Sequence, residues 1–302
     1  MTPRISPLRA IAYSLLGYTF WVIADTCTRL AGKAKLPASQ IIVCSSLFCI
    51  ATILAIMAAR GQMRLLKPKQ WKGETFRALL YVVQSFINVT AFTWFPLAQV
   101  YVVLFLCPIL TAMGASFFLR EKISWGHGVA ILAGFIGVVL ALNPMGMNLP
   151  DASAAGYVAL VLFPITGATN VLLIRYLSKG EHSESMTFFP QIVRVVVIVP
   201  LFFWQFVPMT LADALSTAGL GLFGAIGGLL VIAALKHAPV ATVQPIAYTQ
   251  LILGAIFGYM IWQDVPTVNL MIGAIIIIAS NLYIARHAHK TRKTELLPET
   301  TA

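Results

Sequence analysis

The sequence predicts an all-α integral membrane protein: ten transmembrane helices in two inverted five-helix repeats, with both termini cytoplasmic. Three observations carry this. Hydrophobic residues make up 59% of the 302 positions and charged residues 10%, where an ordinary soluble domain holds about 25% charge. Ten apolar stretches each approach the ~20 residues that cross a hydrocarbon core of ~30 Å. Lys and Arg gather in alternate connections. Too little charge is present to cover a water-facing surface of this size, so soluble enzyme, disordered scaffold, coiled coil and secreted disulfide framework are excluded together.

In order, the first stretch, 10–30, follows Arg4 and Arg9 in the manner of a signal peptide. It is longer than the usual ~7–15 apolar residues and lacks a small-residue cleavage pattern, so it reads as a retained first helix. The stretches 38–59 and 76–95 come next, then 98–119, interrupted by Pro108, and the Gly-rich 125–142. The second set begins with 154–176, which holds Pro164, and 186–207, which holds Pro190 and Pro200. It continues with 214–235, carrying a Gly224–Gly228 step that permits close helix approach, and 240–262, with Pro245 and a Gly254–Gly258 step. The last stretch, 267–285, runs into a basic tail. The connections are too short to hold a separate domain.

Cytoplasmic connections retain Lys and Arg. With the N-terminus inside, seventeen of the 21 Lys and Arg fall on the inner side, while Arg29, Lys33 and Lys35 cluster at the first outer loop. The remaining one, Arg194, lies deep inside a span. The net charge of +11 is therefore chiefly a topology mark on a multi-pass protein of the cell inner membrane, and the basic 60–77 segment and tail lie against anionic lipid headgroups. No folded basic domain exists to bind nucleic acid. Cys27, Cys44, Cys49 and Cys107 all fall in spans and read as small packing residues. Neither they nor the five histidines have the spacing of a metal site, so no metal and no cofactor are expected.

Residues 91–121 and 234–264 align at a fixed offset: Ala91 with Ala234, Ala98 with Ala241, Val100 with Val243, Leu110 with Leu253, and Glu121 with Asp264. Tyr18, Trp21 and Asp25 are spaced i, i+3, i+7 on one helical face, and Phe163, Thr166 and Asn170 repeat that spacing. The chain thus divides at 1–148 and 149–302. Five spans per half is an odd number, so the halves insert with opposite orientation. Inverted repeats place a site at the midplane between two rocking halves.

Charge at the bilayer centre costs about 2.5–3.5 kcal/mol on insertion scales, which singles out Asp25 and Arg194. Asp25 has Arg29 one turn away as an i,i+4 partner; alternatively it lines a cavity, exchanging a proton or meeting a cationic substrate. Arg194 either anchors a carboxylate or phosphate through its planar fork or pairs with Asp25 across the repeat interface. Gln84 and Asn88 share a stripe with Tyr81 and Phe92. Tyr101 and Phe105 correspond to Gln244 and Tyr248 at the repeat offset. With Trp21 and Asn170, these side chains suit either a substrate cavity or interhelical hydrogen bonding at ~0.6 kcal/mol each. Motifs of catalysis are missing, so the chain is not expected to be an enzyme. An integral-membrane enzyme and a non-transporting membrane subunit are the alternatives, and monomer and homodimer stay equally open.

The stretch 107–142, CPILTAMGASFFLREKISWGHGVAILAGFIGVVLAL, resembles the proline, apolar run, acid and Gly-rich helix of the drug/metabolite transporter superfamily, through Pro108, Glu121, Gly134 and Gly137. A second copy, QPIAYTQLILGAIFGYMIWQDVPTVNLMIGAIIII, matches through Pro245, Tyr248, Gln250, Asp264, Pro266 and Gly273. The resemblance is to the ten-helix branch with two EamA-type repeats, and it covers almost the whole chain. It implies a permease moving a small organic metabolite by alternating access: an amino acid or derivative, a molecule like S-adenosylmethionine, a vitamin or a metallophore. Around Asp25–Arg29 and Pro245–Leu251 the chain looks most like the group of S-adenosylmethionine and riboflavin carriers. Two departures leave substrate and direction open. Many relatives carry an arginine in the second helix where this chain has Ser45 or Ser46, with Arg194 in the matching helix of the second half; and the acid at 264 is Asp in place of the commoner Glu.

Overall fold

The computed structural model describes residues 7–119, 125–142, 154–177, 180–237 and 244–295. Each of the ten apolar stretches contains a helix. The first half holds α1 (Pro7–Lys33), α2 (Ala38–Ala59), α3 (Trp71–Trp94), α4 (Leu97–Leu104), α5 (Leu106–Leu119) and α6 (Trp125–Leu142). The second holds α7 (Ala154–Leu177), α8 (Ser183–Trp204), α9 (Leu211–His237), α10 (Thr249–Trp262) and α11 (Val268–Glu295). Among the described residues, five helices have the length and hydropathy to cross a membrane unaided: Ala38–Ala59, Trp71–Trp94, Ala154–Ile174, Ser183–Trp204 and Leu211–Ala234.

Local chemistry explains where helices stop. α1 ends with Lys35 in the left-handed region at φ 61°. The Leu36 N–H there reaches back to the Ala31 carbonyl and the Lys35 N–H to that of Gly32, which together satisfy carbonyls at the helix end. α2 closes the same way around Gly61, with the Gln62 N–H on Met57. α3 stops because Pro96 follows Phe95 and holds it extended at φ −114°, ψ 151°.

The fourth span, 98–119, expected to be interrupted by Pro108, is two helices broken at Phe105. Pro108 has no N–H to donate to the Leu104 carbonyl, so the ladder fails there. Beside the break, Asn281 of α11 donates to the Phe105 carbonyl at 3.0 Å. The ninth span starts similarly, as a 3₁₀ turn over Gln244–Tyr248 containing Pro245, before α10 takes over. The last helix runs past the expected end at 285 into the basic tail.

Much of the helix packing follows an exchange of halves, although α1 packs on α3 and α7 has no comparable contact with α9 among the described residues. α1 packs on α9 as α7 packs on α3, and α2 on α9 as α8 on α3. α5 meets α7 as α10 meets α1, while α2–α8, α4–α10 and α6–α11 each pair an element with its own counterpart. Directions follow from the contacts. α1 and α3 run together, since Asp25 meets Asn88 and Gly32 meets Thr93. α3 and α7 run opposed, since Gly73 meets Leu177, Arg77 meets Asn170 and Trp94 meets Gly156. The first helices of the two halves are therefore antiparallel. α6 and α11 approach backbone to backbone at Gly137 and Gly273, where an added Cβ would strike the opposing carbonyl.

Apolar side chains cover the outside. Leu132, Ile136 and Val139 of α6, Val196 and Phe203 of α8, and Ile252, Ile256 and Met260 of α10 are exposed, a surface that only lipid can cover favourably. Trp71, Tyr176 and Trp204 are exposed at helix ends, the positions an interfacial aromatic belt occupies.

Candidate substrate cavity

The interior is polar along three matched helical stripes. On α1 it is Tyr18, Val22, Asp25 and Arg29; on α3, Tyr81, Gln84 or Ser85, Asn88 and Phe92; on α8, Thr187, Gln191, Arg194 and Ile198. Each follows i, i+4, i+7, i+11 or a one-residue variant, the spacing of a single helix face. The opposite faces hold exposed apolar residues such as Leu16, Val83 and Val196. The apolar faces turn to lipid and the polar ones to the bundle.

Asp25 is half-buried, and its Oδ2 accepts a hydrogen bond from the Tyr101 hydroxyl at 2.8 Å. The Asn88 side chain points at the same carboxylate. Tyr101 is fully buried, edge-on to Phe92 at 5.6 Å. Gly254 of α10 makes room for it, because a Cβ there would fall 2.6 Å from the ring. No cation among the described residues lies within ion-pair distance of Asp25.

The two partners considered for Asp25 from sequence are both elsewhere. Arg29 forms its ion pair with Asp264, and its guanidinium lies 4.2 Å from the centre of the Trp262 ring. Asp264 is set there by Gln263, which ends α10 in the left-handed region at φ 59°. Arg194 donates to Gln191 Oε1 at 3.0 Å and lies over the Tyr81 ring at 5.2 Å. Its Nε has no hydrogen-bond partner, and no carboxylate among the described residues is within ion-pair distance.

Gln84 lies between these centres on the α3 stripe, with its Oε1 unpartnered. Trp21 packs against Gly227 of α9 and edge-on to Tyr18 at 5.7 Å. Tyr248 packs edge-on to Phe105 at 4.9 Å, so both aromatic ends of that repeat pair meet at the helix break. The Gln244 side chain lies outside the described residues, as do Glu121 and the Pro108 ring. Asn170 is drawn away from Asp25 to the far end of the stripe, where its Oδ1 accepts from Arg77 at 3.3 Å.

Arg77 was assigned from sequence to the lipid-facing basic segment, and the fold buries it. Its guanidinium pairs with Glu74 Oε2 at 2.7 Å and donates to the Met186 carbonyl of α8. The readable signal was the i,i+3 spacing of Glu74 and Arg77, which puts opposite charges on one helix face. Beside this cluster, Glu181 accepts from the Gln70 N–H at the start of α3 and from the Ser185 hydroxyl at 3.0 Å.

A multi-pass helical protein that keeps uncompensated charge inside its bundle has the build of a membrane carrier. The EamA-like transporter family matches residues 8–143 and again 154–286, and the chain belongs to that family. It is 27% identical over 218 residues to an S-adenosylmethionine uptake transporter of Rickettsia bellii, covering 70% of this chain and 74% of that one. To a riboflavin transporter of Vibrio cholerae it is 24% identical over 303 residues, covering 98% and 99%. To a pseudopaline exporter of Pseudomonas aeruginosa it is 22% identical over 255 residues, covering 84% and 88%. A solved crystal structure superposes with a TM-score of 0.66 at 17% identity, over 93% of this chain and 98% of that one, a likeness of fold alone.

Proposed function

We propose that the protein carries a small polar or amphipathic organic metabolite across the bacterial inner membrane by alternating access. The moving parts are two inverted five-helix units, 1–148 and 149–302, with both chain ends in the cytoplasm. The exchange-symmetric packing, the antiparallel first helices and the inner-side bias of Lys and Arg support that arrangement. The observation that carries the functional reading is the presence of Asp25 and Arg194 on interior stripes without a countercharge. Charge placed there costs stability and needs a use. Trp21, Gln84, Asn88, Tyr101, Gln244 and Tyr248 complete the binding surface, and Asn170 acts at its far end through Arg77. The named activities of the relatives support a cargo of the size of S-adenosylmethionine, riboflavin or pseudopaline.

The test is an untargeted comparison of metabolites inside and outside cells that express the wild type or an Asp25→Asn/Arg194→Gln double variant. One or a few metabolites redistribute with the wild type and not with the variant, at equal membrane expression. Identical profiles for the two proteins would overturn the assignment.

A further inference from the structure

The carrier reading leaves the class of cargo open, and the arrangement of charge along α3 narrows it. The two unpaired charges are presented to one helix face: Arg194 lies over Tyr81, and Asn88 is turned to Asp25. Tyr81 and Asn88 are seven residues apart on the α3 stripe, which is about two turns, or roughly 10 Å along the axis. Gln84 stands between them with a free carbonyl oxygen.

The partners that these charges do have are all neutral. Tyr101 and Asn88 hold the Asp25 carboxylate, while Gln191 and the Tyr81 ring hold the Arg194 guanidinium. Neutral groups orient a charge without cancelling it. The other buried arginines, Arg29 and Arg77, each have a carboxylate of the protein's own. The stripe is also closed at both ends: Glu74, Arg77 and Asn170 bound it on one side, and Phe92 with Tyr101 and Phe163 on the other.

We infer that the site takes a zwitterionic metabolite, lying along α3 with its cationic group on Asp25 and its carboxylate or phosphate on Arg194, the two about two helical turns apart. This rests on the carrier reading. A ligand with both charges neutralises both side chains at once, whereas a ligand with one leaves the other buried and uncompensated, which is costly. Arg194 offers the anion a planar fork, and Nε is its open donor. The Gln84 carbonyl takes a donor from the middle of the molecule.

The experiment uses the full-length protein in nanodiscs and a series of unbranched ω-amino acids from four to ten carbons, read by calorimetric titration. Two single-charge controls accompany the eight-carbon member, whose charged ends can lie roughly 10 Å apart: its primary amide, which keeps the cation, and its N-acetyl derivative, which keeps the anion. The expected result is a binding maximum near eight carbons, with each control at least about tenfold weaker. Arg194→Gln erases the preference over the amide and keeps that over the N-acetyl compound; Asp25→Asn does the reverse. Arg194→Lys, which keeps charge and loses the fork, falls between. Equal binding of zwitterion and controls, preferences unmoved by either variant, or no binding across the series by folded protein overturns the inference. The carrier assignment is judged separately, by metabolite redistribution, and survives if the redistributed metabolite bears one sign of charge only.

Discussion

The ends of the interior stripe and its middle treat charge in opposite ways. At one end Glu74 and Arg77 are both buried and joined, and at the other Arg29 reaches across from α1 to Asp264 beyond α10. In the middle Asp25 and Arg194 have no ionic partner among the described residues. The ends use charge as a fastener between helices. The middle holds charge ready, at a cost in stability of a few kcal/mol per group. A protein under selection for stability alone would pair these groups or lose them, so the contrast separates the parts that hold the bundle from the parts that meet a ligand.

Breaking the Glu74–Arg77 fastener has the largest expected effect. Glu74→Ala leaves Arg77 buried without its counter-ion and lowers unfolding stability by about 3–5 kcal/mol, measurable by denaturant titration in detergent micelles. The middle behaves inversely. Arg194→Leu raises stability by up to about 3 kcal/mol while binding of the cargo is lost; a stability loss matching that of Glu74→Ala would put Arg194 among the fasteners. Asn281→Ala removes the side-chain hydrogen bond that ties α11 to the Phe105 carbonyl at the α4–α5 break and costs about 0.5–1.5 kcal/mol, with no change in charge selectivity. Asp264→Asn is likewise mild, about 1 kcal/mol, because the amide keeps an oxygen for the buried Arg29 to donate to and the Asp264 side chain is 26% exposed. Equal losses for Asp264→Asn and Glu74→Ala would erase the difference drawn between the two ends.

The helices were largely readable because lipid imposes a one-dimensional rule: a run of apolar residues long enough to span is a helix. The stretch 38–59 coincides with α2 to the residue, and 125–142 is helical throughout. The fourth span reads as interrupted by Pro108, and it breaks three residues earlier, at Phe105. Whether a membrane proline bends a helix or breaks it depends on what neighbouring helices supply, and here Asn281, 176 positions away, donates to the Phe105 carbonyl beside the break. The stripes were readable too, because the period of 3.6 fixes which side chains share a face. Asp25, Gln84, Asn88 and Arg194 were singled out by polarity on those faces.

The partners were not readable. Arg29 had an acid four residues away and took one 235 positions distant. Arg77 looked like a headgroup contact and is buried against α7 and α8. Asn170 matched Asp25 in spacing and serves the opposite end of the stripe. From sequence alone came the 59% apolar content resolved into spans, the faces of those spans, and the charges set on inner faces, since each depends on neighbours in the chain. Which charges are paired and which are left open was decided by tertiary structure, because an ion pair inside a bilayer forms with whichever helix packing brings into reach.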